Sequence, residues 1–355
     1  GFTRRVGEGS GSVDRLSILH EEENVKKVNL VGIDVSAKTF TVVVDHDGAR
    51  SEAFDLDNDP QGHKKLIRLI TRKGFQARVV LEATGNYSLD IALALHRAPR
   101  VEVMVANPRA VSQFAGAYLR RSKTDAIDAN VLVEFAARMP FEPWKPPSAQ
   151  AFDLRAISRR IEALTKTSTQ EKNRLHAAAS FDEMSDVVRE DIEVNIRHLE
   201  DRIDRLRDQA RELIAKHADL ERAFQHITSV KGIATAAGIQ ILAELAVLPS
   251  DMDVRQWVAH AGMDPRQIQS GTSVNRPARI SRRGNAHLRR ALFLPALVAA
   301  QHEPHVRAFY EKLLGRGKTK MQANVAVMRK MLHAIHGMLK HDRDFEGEKF
   351  YALGA

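Results

Sequence analysis

Four carboxylates, Asp34, Glu82, Asp125 and Asp128, have residue types and surroundings suited to a shared metal site. Asp34 ends the apolar run Val28-Asn-Leu-Val-Gly-Ile-Asp34, where a carboxylate is costly unless it is paired or metal-bound. Glu82 ends a second apolar run and opens Glu82-Ala-Thr-Gly-Asn-Tyr87. Asp125 and Asp128 stand three apart in Lys123-Thr-Asp-Ala-Ile-Asp-Ala-Asn130. On a helix that spacing puts both on one face, about 5–6 Å apart. Two strand-end acids and a helical acid pair can hold two Mg²⁺ ions ~3.5–4 Å apart, the arrangement used in phosphodiester chemistry. All-oxygen donors of this kind select Mg²⁺, or Mn²⁺, over zinc. Taken singly, Asp34 and Glu82 could cap turns, Asp125 could serve a helix N-terminus, and Asp128 could be a solvated face residue. The order strand acid, strand acid, helical pair is what makes the set specific.

The second stretch that bears on chemistry is basic. Between Pro265 and His302 stand Arg266, Arg276, Arg279, Arg282, Arg283, Arg289 and Arg290, without a single Asp or Glu. The guanidinium fork suits phosphate, and a merely solvated face would interleave acids. Arg316, Lys318, Lys320, Arg329 and Lys330 continue the basic surface. Over all 355 residues, 54 Lys and Arg against 45 Asp and Glu give a net charge of +9, which points to a polyanionic partner such as nucleic acid. The absence of cysteine excludes disulfide frameworks, zinc–thiolate sites and cysteine nucleophiles. The longest apolar run, Ala291 to Ala300, is broken by Pro295 and is about half of a membrane span. An actin-like or sugar-kinase phosphate loop would need glycine where Ser36 stands. Gly315-Arg-Gly-Lys-Thr319 lacks the first glycine of a P-loop.

The elements that must carry these residues are legible in outline. Residues 1–27 read as a flexible leader rich in Gly and Ser. Val28 to Asp34, Thr39 to Val44, Ala77 to Leu81 and Val101 to Val105 read as strands, with a hairpin turn at Asp45-His-Asp-Gly48 and a further strand from Ser51. Gln61 to Arg72 and Ser88 to His96 read as helices, giving a mixed α/β domain over 28–147. Four prolines between Pro140 and Ser148 mark its end. Residues 148–223 are charged and helical, with a heptad at Ile192, Ile196, Leu199, Ile203, Leu206, Ala210 and Leu213. That pattern fits an intramolecular hairpin with Leu154, Ile157, Ile161 and Leu164, and equally an oligomerising coiled coil. Residues 224–342 read as a helical domain and 343–355 as a tail. Thr228 to Ile239 reads either as a helix-hairpin-helix element offering N–H groups to phosphate or as a Gly-broken pair of core helices.

Taken together, Val31-Gly-Ile-Asp-Val-Ser-Ala-Lys38, Leu81-Glu-Ala-Thr-Gly-Asn-Tyr87, Ala106-Asn-Pro108, Arg121-Ser-Lys-Thr-Asp-Ala-Ile-Asp-Ala129, Gln269-Ser-Gly-Thr-Ser273 and Ser281-Arg-Arg-Gly-Asn285 make the chain resemble the DEDD-type transposases of the IS110 family, including the Piv/MooV DNA invertases. The resemblance spans about residues 28 to 340. It implies an α/β domain of RuvC-like, ribonuclease-H type, a helical coiled-coil middle and a helical C-terminal transposase domain. It further implies a cytoplasmic, nucleoid-associated recombinase that acts on double-stranded DNA, at element ends and target, guided by a noncoding bridge RNA. The enzyme would work as a homo-oligomer, a dimer that assembles into a tetramer. Ser270, with Ser273 as the nearby competitor, would attack the phosphate to give a phosphoserine link, and Asp34, Glu82, Asp125 and Asp128 would bind Mg²⁺. The alternative is a RuvC-type two-metal nuclease or Holliday-junction resolvase in which water is the nucleophile.

Overall fold

The computed structural model describes residues 27–83, 85, 87–117, 124–178, 185–270 and 274–353. Most of the expected leader, as well as Gly271 to Ser273, lies outside them. The chain divides into two compact units, 1–146 and 147–355.

In the first unit the β-branched runs form strands β1 (Val28–Val35), β2 (Thr39–His46), β3 (Ala49–Arg50) and β4 (Phe54–Asp57). Helix α1 (Pro60–Ile70) follows, capped by the Asp59 side chain on the Gly62 N–H. Then come β5 (Gln76–Glu82), α2 (Leu89–His96), β6 (Val101–Ala106), α3 (Pro108–Ala117) and α4 (Asp125–Arg138). The β2–β3 turn uses left-handed Asp47 and Gly48 (φ 55° and 86°), the backbone a tight hairpin demands. The sheet order is β3-β2-β1-β5-β6, with β4 also on β2. β1 runs antiparallel to β2 and parallel to β5, and β5 runs parallel to β6.

Both sheet faces are covered, so the strands are apolar on both sides. Val31, Ile33, Val79 and Leu81 pack with Leu66 and Ile70 of α1 and with Ile91 and Leu95 of α2. Val80 packs on the opposite face with Val131, Leu132 and Phe135 of α4. Gly32 is obligatory there: a Cβ would lie 2.1 Å from the Ala129 carbonyl oxygen and 2.8 Å from the Val133 nitrogen. The helix backbone therefore rests directly on β1.

The second unit begins with a helical hairpin, α5 (Ala149–Ala178) and α6 (Asp186–Ala215). The heptad of α6 is satisfied within the chain: Leu199 and Ile203 bury against Ile161 and Leu164 of α5. Then follow α7 (Ala218–Ser229), α8 (Thr235–Leu245) and α9 (Val254–His260). Strands β7 (Pro265–Ser270) and β8 (Val274–Ile280) form an antiparallel pair that departs from the all-helical expectation for this region. Helices α10 (Ala286–His302), α11 (Pro304–Gly315), α12 (Lys320–Lys340) and α13 (Gly347–Phe350) complete it. One core takes in Leu154 of α5, Ile214 of α6 and residues of α7 to α13, including Phe350. No helix among the described residues is long and apolar enough to cross a membrane.

Candidate active site and nucleic-acid surface

Side chains alternate across a strand, so positions two apart share a face. Val31, Ile33 and Val35 of β1 belong to the core under α1 and α2, which assigns Gly32 and Asp34 to the α4 face. In β5, Val79 and Leu81 join that same core while Val80 joins α4, so Glu82 falls on the α4 face as well. The parallel register pairs Ile33 with Leu81, which makes Asp34 and Glu82 the next neighbours at the carboxyl ends of adjacent strands. Adjacent strands are about 4.8 Å apart.

Helix α4 supplies the other pair. Thr124 caps it by accepting from the Ile127 N–H, and Asp125 and Asp128 occupy the first turn, where negative charge complements the helix dipole. Asp128 is half-buried and Asp125 exposed. Because Ala129 is the residue seated on Gly32, Asp128 lies beside β1, whose last residue but one is Asp34. The donor chemistry is that of a Mg²⁺ or Mn²⁺ site. The backbone placement is present, but the side chains do not converge: among the described residues no three acids or histidines stand close enough to hold a metal.

A brace at the same edge has no signature in the sequence. The Asn58 side-chain amide donates to the Ser36 carbonyl just after β1 and to the Tyr87 carbonyl after β5, both at 3.0 Å. Its oxygen meets Nε2 of buried His63 at 2.9 Å. Burial holds the His63 imidazole below its ordinary pKa, so a neutral ring backs the brace. Tyr87 itself is 58% exposed and is no core aromatic.

In the second unit, Ser270 is the last residue of β7 and pairs with Val274 across the hairpin. The side chains of Ser270 and Arg276, and the whole of Ser273, lie outside the described residues. Arg266 and Arg279 are directly opposed on the two strands and both exposed. Arg282 sits on a left-handed turn (φ 53°), and Arg282 and Arg283 are exposed. Lys318 and Lys320 are exposed near the start of α12. Two arginines have partners inside the protein: Arg289 donates to the Ala261 carbonyl at 2.8 Å, and Arg290 pairs with Glu162. In the turn between α7 and α8, Gly232 (φ 115°) abuts the α10 backbone, 2.8 Å from the Ala299 nitrogen at its Cβ position.

The turn 281–285 is held from below by a buried carboxylate. Glu244 of α8, 2% exposed, accepts two hydrogen bonds from Arg159 (2.9 and 3.0 Å) and one from the Asn285 amide (2.6 Å). Burial alone would raise its pKa, but the Arg159 and Asn285 hydrogen bonds outweigh burial and hold it below the usual carboxylate range. Asn285 in turn caps α10 through the Leu288 N–H, and its own N–H reaches the His260 carbonyl at 2.7 Å. Gly284 (φ 145°) is pressed so close that a Cβ would sit 2.1 Å from that carbonyl. An isolated acid inside the apolar stretch Ile239 to Leu248 was the one trace of this network in the sequence.

Comparison with known proteins gives two family matches, the first of which extends beyond the first unit through α5. The DEDD-type IS110 model, described as Transposase, matches residues 31–180, and the model of the Transposase IS116/IS110/IS902 family matches residues 224–311. The pilin gene-inverting protein of Moraxella bovis is 27% identical over 324 residues, covering 89% of this chain and 97% of that protein. Its Moraxella lacunata counterpart matches to the same extent. An uncharacterised 43.6 kDa protein of insertion element IS110 from Streptomyces coelicolor is 28% identical over 120 residues, 34% of this chain and 29% of that protein.

Proposed function

The chain belongs to the IS110 family of transposases, whose two domain models together match about two thirds of it, and on that premise we propose how it cuts and rejoins DNA. Ser270 is the nucleophile, and Asp34, Glu82, Asp125 and Asp128 are the residues that would hold Mg²⁺. The substrates are the ends of an insertion element and a target duplex. Inversion, which the name of the Moraxella relatives describes, and transposition both need the same breaking and rejoining of strands.

The reading rests on one observation above the others: strand alternation, the β1–β5 register and the seat of Ala129 on Gly32 bring the acids of both strands toward the acidic first turn of α4. Bound Mg²⁺ would act as a Lewis acid on phosphodiester oxygens. Ser270 Oγ forms a bond to phosphorus as one P–O ester bond breaks. The serine proton passes to a base, and the released deoxyribose oxygen takes up a proton. Rejoining is the reverse step with a different deoxyribose hydroxyl, so the ester bond energy is conserved in the phosphoserine link.

We read the first unit as RuvC-like, of ribonuclease-H type; an antiparallel β1–β2 pair leading into parallel β5 and β6, with acids at strand ends, supports this. The exposed cations Arg266, Arg279, Arg282, Lys318 and Lys320 suit the phosphates of the nucleic acids such an enzyme handles, the DNA and a bridge RNA. Exposed Val187, Val188 and Val194 at the start of α6 support a homo-oligomer, a dimer or a tetramer.

The test is a denaturing-gel assay with labelled element-end and target DNA, Mg²⁺ and the protein purified with its co-expressed RNA. A protein–DNA adduct is expected from the wild type and neither from Ser270→Ala nor from Asp125→Ala. Cleavage that survives Ser270→Ala but not Asp125→Ala overturns the serine mechanism in favour of metal-activated water.

A further inference from the structure

A cavity of about 1130 Å³ in the second unit is lined by α11, α12, the segment 343–350 and the end of β8. Its chemistry is two-sided. Leu313, Met321 and Val325 give it an apolar floor, while Arg279, Arg282, Lys318 and Arg329 give it cations. The acids that line it already have partners: Asp344 bonds His226 at 2.8 Å and Glu346 pairs with Lys349 at 2.7 Å. The cations of the cavity are therefore left in excess. Lys330, also in the wall, stands over the rings of Phe309 at 4.6 Å and Phe350 at 5.4 Å, which fixes its charge against the floor. His333, kept below the ordinary imidazole range by burial and by Arg329, contributes an uncharged ring at neutral pH.

Double-stranded DNA is read by convex elements, a helix or a β-ribbon, that enter its grooves. A concave, apolar-floored cleft with cationic sides is the converse shape, suited to unpaired bases whose backbone follows the charge. The volume slightly exceeds the usual range for a small-molecule pocket, about 300–1,000 Å³. We propose that this groove holds a short unpaired stretch of nucleic acid, its bases on the Met321–Val325 floor and its phosphates on Arg279, Arg282, Lys318 and Arg329. The assignment builds on the reading of the chain as a DNA recombinase and specifies where an unpaired strand is kept.

The experiment compares fluorescently labelled oligo-dT, oligo-U and a duplex of equal length, titrated against the full chain and against Lys318→Glu/Arg329→Glu. Both residues are exposed, so the variant should fold, which a matching thermal midpoint checks. Unpaired oligomers are expected to lose roughly tenfold more affinity than the duplex, and the dT and U arms tell DNA from RNA. A benzophenone side chain at position 321 is expected to crosslink to whichever oligomer binds. Equal losses for paired and unpaired probes, or a crosslink to a second copy of the chain, overturn the proposal. Because the wild-type duplex titration is read alongside, a chain that binds no DNA at all would instead fail the recombinase reading.

Discussion

Asp128 is one acid among many on helix surfaces, and what distinguishes it is the residue after it, Ala129, seated on Gly32 two positions before Asp34. Its isosteric amide should therefore keep the fold and lose the chemistry. For Asp128→Asn we predict that strand cleavage falls at least about 100-fold while the thermal midpoint stays within about 2 °C of wild type. Asn58 makes a different contribution, since its side chain bonds two backbone carbonyls and His63. Asn58→Ala removes both carbonyl contacts and the hydrogen bond at His63 Nε2, so about 1–3 kcal/mol of stability should be lost. Cleavage should drop about 10–100-fold, the scale on which supporting residues act, and raised Mg²⁺ should restore part of it. Asp34 and Glu82 stand out in the sequence because a carboxylate at the end of an apolar strand is costly. Asn58 was not, because its partners lie 22 and 29 residues away and an asparagine in a loop needs no explanation.

Among elements, the first unit read well because strands covered on both faces are continuous apolar runs bounded by turns. The β7–β8 hairpin did not: Pro265–Ser270 and Val274–Ile280 are rich in Arg, Gln and Pro, and carry no apolar alternation. Heptad spacing on α6 described a stripe without saying which helix would cover it, and α5 of the same chain does so. The contact between α4 and β1 is the most sensitive point of the first unit. Gly32→Ala drives a Cβ into two backbone atoms that cannot rotate away. We expect a loss of about 1–3 kcal/mol or more in chemical denaturation, together with weakened Mg²⁺-dependent cleavage as α4 is displaced from the strand acids. Wild-type stability with unimpaired cleavage would show that this close approach does not set the site.

At the scale of the molecule, the excess of cations falls mainly on the second unit, and its C-terminal segment is pinned by a titratable clamp. His226 of α7 lies between Asp344 (2.8 Å) and Asp342 (3.0 Å). Burial alone would lower the imidazole pKa, but the two carboxylates outweigh it and raise it above the ordinary value. A raised folded-state pKa gives stability that is complete below the unfolded value of about 6.5 and is lost as pH climbs through the folded value. The thermal midpoint should thus fall between about pH 6 and pH 8, and His226→Gln should flatten that slope. The central claim concerns the bond made to DNA, and it is tested most directly by digesting a trapped protein–DNA adduct and sequencing the modified peptide by tandem mass spectrometry. The account predicts a nucleotide remnant on Ser270. A remnant on another residue, Ser273 included, or efficient cleavage with no modified peptide, would contradict it.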